Sequence, residues 1–136
     1  KVALKDAKEN YFSQPVLLKA RLLYDGGYYE KALSEINTFI EDDNVEYWYR
    51  LARIKSKLDY DDKEIINHYQ KAYDLGKQST TYYAAMSALQ IGLIYKKQNE
   101  IVKAKIHFEK CLSLSGFDYE RGIHQKAKAG ISRISD

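Results

Sequence analysis

Residues 26–33 read GGYYEKAL, and this stretch with its flanking residues decides the fold. Gly27 follows Ala20 by seven positions and precedes Ala32 by five. Glycine tolerates the left-handed backbone conformation that ends a helix, so Gly27 predicts a tight turn between two helices. Small side chains at Ala20 and Ala32 let the two backbones approach where the helices cross, and Ile36 fills the space beside the crossing. The stretch therefore predicts an antiparallel helix pair.

A second copy of this pattern surrounds residues 98–105, which read QNEIVKAK. Gly92, Asn99 and Ala104 repeat the spacing of small residue, turn residue and alanine. Asparagine also tolerates the left-handed conformation, and Phe108 is the large residue beside the crossing. The sequence therefore predicts a second helix pair of the same design.

A degenerate copy lies between these two. Trp48 and Ala52 mark its first helix, and Ile65 and Ala72 mark its second. The turn at residues 58–62 lacks glycine and reads as one residue longer. A repeated pair of helices with a period of about 34 residues resembles the tetratricopeptide repeat, whose two helices are called A and B, and Trp48 stands four residues before Ala52 as the family's tryptophan does.

The resemblance implies an all-α fold, namely a right-handed α-α superhelix of about three helix pairs with a C-terminal capping helix, in one domain over residues 1–136. The repeats are expected at about 13–44, 45–78 and 79–116, with the capping helix at 118–134. The individual helices are predicted over residues 1–11, 15–26, 29–42, 45–58, 62–76, 80–98, 100–114 and 118–134. Residues 1–11 are expected to end an earlier helix B, in what we interpret as the C-terminal fragment of a longer repeat protein.

The capping helix is predicted from its own pattern. Ile123, Ala127 and Ile131 recur at helical spacing, while Glu120 and Lys128 lie on the opposite face. A stack of repeats needs such a helix to cover the apolar surface of its last pair.

The composition excludes several classes of function. The net charge is +3 with acids and bases interspersed, which is not the concentrated basic surface of a nucleic-acid-binding protein. No apolar run approaches the roughly 20 residues that span a bilayer. One cysteine, Cys111, fits a reducing compartment such as the cytoplasm but leaves the localisation open.

No catalytic, phosphate-binding or metal-binding motif is present in the sequence, so we expect neither an enzyme nor a cofactor. His68 and His107 fall at equivalent places on two B helices and are interpreted as solvated surface residues, and His124 as partly exposed. Cys111 is interpreted as a small buried residue. The acidic runs at 41–43 and 59–62 lack calcium-ligand spacing and are expected to begin and end helices.

In the tetratricopeptide family the A helices line a concave groove in which a partner peptide lies. Carried over position by position, the resemblance gives a set of groove residues that is cationic and aromatic toward one end and apolar toward the other: Leu17, Arg21, Tyr24, Tyr49, Arg53, Lys57, Met86, Leu89, Leu93, Lys96 and Lys97. Such a surface suits a protein or peptide with acidic residues beside hydrophobic anchors. Self-association is left open.

One subset of the family clamps the terminal carboxylate of chaperone tails with lysines and asparagines. Leu17 and Arg21 stand where a clamp lysine and an asparagine would be, so chaperone-tail binding is not expected. The leading hypothesis is a protein–protein interaction scaffold. The alternative is a regulatory or sensor segment of a larger multidomain protein whose activity lies upstream.

Overall fold

The computed structural model describes residues 14–79 and 81–135, and every regular element within those ranges is an α-helix. The helices are α1 (Pro15–Asp25), α2 (Tyr29–Ile36), α3 (Val45–Lys57), α4 (Asp62–Gly76), α5 (Tyr83–Lys97), α6 (Ile101–Leu112) and α7 (Glu120–Ser135). The helix predicted over residues 1–11 lies outside the described residues. None of the described helices is both long enough and apolar enough to cross a bilayer.

The all-α prediction is confirmed, and most helix ends fall within three residues of the predicted ones. The exception is α2, which was predicted to reach residue 42 and ends at Ile36. The Thr38 hydroxyl donates to the Glu35 carbonyl, and the backbone turns at this point. The Trp48 indole then donates to the Asp42 carbonyl at 2.9 Å, which fixes the linker outside any helix.

The three turns within the helix pairs share one backbone geometry. Gly27 and Asn99 have φ values of 84° and 62°, as their residue types predict. Asp59 takes the same place in the middle pair with φ 59°. It lies seven positions after Ala52, so this turn has the same spacing as the others, and the extra residue follows it. In each pair the next backbone N–H reaches five residues back to close the helix, as Tyr60 does onto the Lys55 carbonyl at 3.1 Å.

The pairs α1–α2, α3–α4 and α5–α6 stack side by side, and α7 packs on the last pair. Successive helices α1, α3, α5 and α7 also pack against one another. Within the described residues no comparable packing joins α2, α4 and α6. Helices on the inner side of a curved stack lie closer together than those outside, so α1, α3, α5 and α7 line the inner side.

The core has two parts. The first joins the first two pairs and includes Ile91, which projects from α5 onto the second pair. The second joins the third pair to α7 and contains Phe108, Ile123 and Ala127. The position of Ile123 and Ala127 in this core agrees with the capping role predicted for the last helix.

Phe108 is the closest-packed point of the second core. A β-carbon added at Gly92 of α5 would lie 2.6 Å from its ring, and one added at Gly130 of α7 would also lie 2.6 Å away. Real β-carbons do not approach a neighbouring atom so closely, so both positions require glycine unless the ring moves. The ring of Phe108 is held between two helix backbones.

Candidate partner-binding groove

Three of the predicted groove residues lie in the core. Leu17, Tyr49 and Leu89 are 0%, 2% and 1% exposed. They occupy the same position in their repeats, three residues before Ala20, Ala52 and Gly92. Because successive inner helices pack against one another, this position is covered, as Leu89 is by the core that contains α7 residues. The prediction that these side chains face a partner is therefore wrong.

The other predicted residues reach the surface to different degrees. Arg21, Lys57, Leu93 and Lys97 are exposed, whereas Tyr24, Arg53, Met86 and Lys96 are partly buried. Met86 packs against both parts of the core. The accessible surface that these eight residues form on α1, α3 and α5 is called the groove face below.

Arg21, Tyr24 and Arg53 line one cleft of the groove face, together with Ala20 and Arg50. The Arg53 guanidinium carbon lies 4.4 Å from the centre of the Tyr24 ring and 5.6 Å from that of Tyr49. Such contacts hold a guanidinium by its face through cation–π attraction. The nitrogens at the edge of the group stay available to donate hydrogen bonds.

Arg50 was not among the predicted residues, although it lines the same cleft. It is 5% exposed, and its Nε donates to the Glu46 carboxylate at 2.6 Å. A second guanidinium nitrogen lies 3.4 Å from the Tyr83 hydroxyl. Burial alone would lower the pKa of Arg50, but the Glu46 carboxylate outweighs it and raises the pKa. The spacing of four residues between Glu46 and Arg50 could have revealed this pair, which leaves the charge of Arg50 compensated.

Leu93 and Lys97 belong to a different hollow, beside the turn between α3 and α4. Its other lining residues are Ser56, Asp59, Tyr60, Asp62, Ile65 and Ile94, and its volume is about 240 Å³. The structure therefore divides the predicted set into an arginine–tyrosine cleft and a separate hollow in which apolar side chains lie beside two carboxylates.

A row of tyrosines continues from the arginine cleft toward α7. The Tyr49 and Tyr83 rings are 5.1 Å apart, Tyr83 and Tyr82 are 4.6 Å apart, and Tyr82 and Tyr119 are 5.8 Å apart. Tyr119 is 75% exposed and has a φ of 65°, which is costly for a side chain of this size. It lies in the linker before α7, where no sequence pattern indicated its position.

The outer side of the stack carries two histidines that are not solvated as predicted. The His68 ring stacks on Trp48 at 5.3 Å, and its Nε2 lies 3.1 Å from the Lys55 ammonium. Burial, with a further contribution from Lys55, lowers the pKa of His68 to about 4. His107 stacks on an aromatic ring in the same way, and burial lowers its pKa to about 4 as well. Both side chains are therefore neutral at pH 7.

Neither histidine lies in a cluster of metal-ligand side chains within the residues that the structure describes. The described part of the chain contains no group of three or more histidine, cysteine, aspartate or glutamate side chains placed to hold a metal ion. Cys111 is 0% exposed, and burial raises the pKa of its thiol to about 12. A protonated, buried thiol is a poor nucleophile, so Cys111 acts as a packing residue.

Comparison with known proteins agrees with this architecture. A sequence model described as "Tetratricopeptide repeat" matches residues 87–118, which contain most of α5 and all of α6. The crystal structure of PcrH in complex with the chaperone binding region of PopD is similar in fold, with a TM-score of 0.78, 9% sequence identity, and coverage of 93% of this chain and 92% of that one. No curated protein matches the sequence. The third helix pair is therefore similar in sequence to the tetratricopeptide repeat, and the whole stack is similar in fold to PcrH.

Proposed function

We propose that this protein is an interaction scaffold that binds an extended segment of a partner along the groove face, with acidic side chains of the partner on the arginine cleft and apolar ones on the hollow beside Leu93. The tetratricopeptide fold supports the general role of a protein-interaction scaffold. The finer assignment rests on the charge and geometry of the groove face.

The accessible charged residues of the groove face are all cationic. They are Arg21, Arg53, Lys57, Lys96 and Lys97. The partly buried carboxylate of Glu46 is engaged by Arg50 and is not available to compensate them. A partner with carboxylates is attracted to such a surface, and its association rate falls as salt is added.

The orientation of the Arg53 guanidinium is the observation that carries this proposal. Tyr24 and Tyr49 hold its guanidinium, and it forms neither a hydrogen bond nor an ion pair with any residue in the described ranges. An arginine that is oriented by aromatic rings and has free donors is suited to bind a carboxylate with two parallel hydrogen bonds. Because little side-chain freedom remains to be lost, the ordering cost of binding is small.

The similar structure supports the idea that a stack of this shape accepts a segment of another protein. PcrH was crystallised with a region of PopD. The low identity between PcrH and this chain gives no support for a shared partner. The chemistry of the segment is inferred from the groove face of this protein alone.

The test is a titration of the wild-type chain and of Arg53→Glu and Lys57→Glu variants against a partner recovered by affinity capture. Loss of a charge-assisted hydrogen bond costs about 1.5–3 kcal/mol, so we expect Arg53→Glu to weaken binding at least tenfold. Lys57 lacks an aromatic support, so Lys57→Glu should have a smaller effect that disappears at high salt.

Lys63→Glu provides the matched control, because Lys63 is an exposed cation on α4, on the outer side of the stack. It should bind the partner as the wild type does. Equal affinities for the wild type and Arg53→Glu would show that the arginine cleft is not the binding site. If a partner segment and a copy with its glutamates replaced by glutamines bound with equal affinity, the inference of an acidic partner would be wrong. The role as an interaction scaffold would still stand.

A further inference from the structure

The outward surface of α6 is apolar where the outer helices of the other two repeats are polar. Val102 and Ile106 stand two positions before and two positions after Ala104, and on a helix with 3.6 residues per turn both lie opposite this buried alanine. They are 74% and 46% exposed. The corresponding residues of α2 and α4, two positions on either side of Ala32 and Ala72, are Glu30, Ser34, Gln70 and Asp74.

The polar pair of α4 shows what this position looks like when it faces water. The Gln70 amide donates to the Asp74 carboxylate at 3.1 Å. Val102 and Ile106 are four positions apart in the same way and form a continuous apolar strip on α6. Neither side chain belongs to either part of the core. This strip, formed by Val102 and Ile106, is called the α6 ridge below.

Lysines lie along both edges of the α6 ridge. Lys105 is on one edge, and Lys103 and Lys110 are on the other. The Lys103 ammonium lies 5.5 Å from the centre of the Tyr95 ring, and the Lys110 ammonium lies 5.6 Å from that of Tyr73. Cation–π contacts of this kind orient an ammonium without neutralising it. None of the three lysines forms an ion pair with a residue in the described ranges.

The charge of α6 selects the chemistry of a partner for the ridge. The helix carries three lysines against one carboxylate, that of Glu109. Two copies of the chain that met through this ridge would bring the same cations together, and like charges across an interface oppose association. An acidic surface would instead be attracted to both edges of the ridge while its apolar residues cover the strip.

The shape of the ridge favours a helix as the occupant. The backbone groups of α6 are hydrogen-bonded within the helix, so an extended segment cannot pair with them as it would with the edge of a sheet. Side chains alone can make the contact, and helices pack on one another by fitting ridges into grooves. The 12 residues of α6 extend over about 18 Å, which matches about three turns of a partner helix.

We propose that the α6 ridge is a second docking surface, separate from the groove face, which binds an amphipathic acidic helix of a partner protein. Apolar residues of that helix cover Val102 and Ile106, and its carboxylates lie beside Lys103, Lys105 and Lys110. Because the ridge is on the outer side of the stack, the protein can hold this helix while a different segment occupies the groove face.

A synthetic helical peptide with a stripe of leucines and glutamates along both sides of the stripe is the probe that tests this proposal. Fluorescence anisotropy measures its affinity, and amide NMR spectra of the full 136-residue chain locate its site. We expect the wild type to bind the peptide with shifts concentrated in α6. Val102→Asp should weaken binding at least about tenfold, because apolar contact is lost and a carboxylate then faces the glutamates. Lys105→Glu should also weaken binding, with an effect that shrinks as salt is added.

Ser34→Asp is the matched control, because it places a carboxylate on α2 at the position that corresponds to Ile106. It should leave the affinity unchanged. Val102 is mostly exposed, so Val102→Asp should fold normally, which circular dichroism checks; if it does not fold, Lys105→Glu decides the result.

Several outcomes would overturn the proposal. One is the absence of peptide binding to the wild type, and another is equal affinity for a copy of the peptide with lysines in place of its glutamates. Binding that survives Val102→Asp and is lost in Arg53→Glu would place the peptide in the groove. A wild-type dimer in sedimentation that Val102→Asp dissociates would identify a second copy as the occupant. Binding to vesicles of equal parts phosphatidylcholine and phosphatidylserine that Val102→Asp abolishes, without binding of the peptide, would identify a membrane surface.

Discussion

The Ser87 hydroxyl is a buried polar group that destabilises the core in which it lies. The side chain lies on α5 and is 0% exposed, and its hydroxyl has no hydrogen-bond partner. Removing a hydroxyl from water without a compensating hydrogen bond costs about 1–3 kcal/mol in proteins. The neighbouring small residues Ala84, Ala85 and Ala88 tolerate the same environment without this cost.

Ser87→Ala should therefore raise the free energy of unfolding by about 1 kcal/mol beyond the gain in helix propensity. Urea titration measures the change. Ser132→Ala on the exposed face of α7 is the control, because it brings the propensity gain alone. If the free energy of unfolding rose equally in the two variants, the Ser87 hydroxyl would have to form a hydrogen bond within its own helix.

Residue types predicted the backbone of the turns better than the direction of the side chains. Gly27 and Asn99 were expected in the left-handed conformation because their side chains tolerate it, and both adopt it. Leu17 and Leu89 were expected on the surface because family positions were carried over one by one. Their burial depends on how closely neighbouring inner helices pack, which no local pattern in the sequence records.

At the scale of elements, α5, α6 and α7 meet around the Phe108 ring. Gly92→Ala and Gly130→Ala would each place a methyl group 2.6 Å from it. The ring cannot yield in either direction, since the opposite helix blocks it, so each substitution should destabilise the fold by about 1–3 kcal/mol. The thermal midpoint and urea titration report the loss.

Gly122→Ala is the control for this prediction, since a β-carbon at Gly122 of α7 meets nothing within 4 Å. It should stabilise the protein by up to about 1 kcal/mol through helix propensity. Phe108→Leu combined with Gly92→Ala should recover part of the loss, because the smaller side chain frees the space. A destabilised Gly122→Ala variant, or an unchanged Gly92→Ala variant, would contradict the sandwich of Phe108 between the helices.

Helix pairing was predictable because small residues, turn residues and apolar spacing recur along the chain. The early end of α2 was not predictable in the same way. Residues 37–42 have no proline or glycine to stop a helix. The Trp48 indole, which lies in another helix, donates to the Asp42 carbonyl and holds this linker in a non-helical course. Contacts between elements, rather than local preference, decided this boundary.

At the scale of the whole molecule, the two partly buried histidines make stability depend on pH. His68 and His107 have a pKa of about 4 in the folded protein, against about 6.5 in an unfolded chain. Above pH 6.5 both states are neutral, and the folded state keeps its full stability. As the pH falls from 6.5 to 4, only the unfolded chain takes up protons, so stability decreases and then levels off below pH 4.

We expect a loss of roughly 1 kcal/mol per pH unit for each histidine in this window. Urea midpoints measured between pH 7.5 and 4 check the size and the sign. The double variant His68→Phe and His107→Phe keeps the aromatic stacking and should have a flatter profile. A wild-type profile that is flat from pH 6.5 to 4, or that rises on acidification, would contradict the pKa values.

The two sides of the stack therefore differ in chemistry. The inner side has an oriented arginine and exposed cations. The outer side has neutral histidines that stack on aromatic rings and lie near lysines. The family resemblance predicted the inner side as the place of binding, and three of its residues, Arg21, Tyr24 and Arg53, lie at one cleft. It could not indicate Arg50 or the tyrosine row, because these depend on contacts between side chains of successive repeats.

Trp48 is the only tryptophan of the chain, and it is 8% exposed in the second repeat. Its indole contacts the His68 ring, the Lys71 ammonium at 4.6 Å and the linker from the first repeat. Excitation at the red edge of the protein absorption band therefore excites Trp48 selectively, and its fluorescence reports on the junction of two repeats. A cationic imidazole quenches indole fluorescence, so the intensity of the Trp48 emission reports the protonation of His68. A red shift of the Trp48 emission maximum reports water entering the middle of the stack.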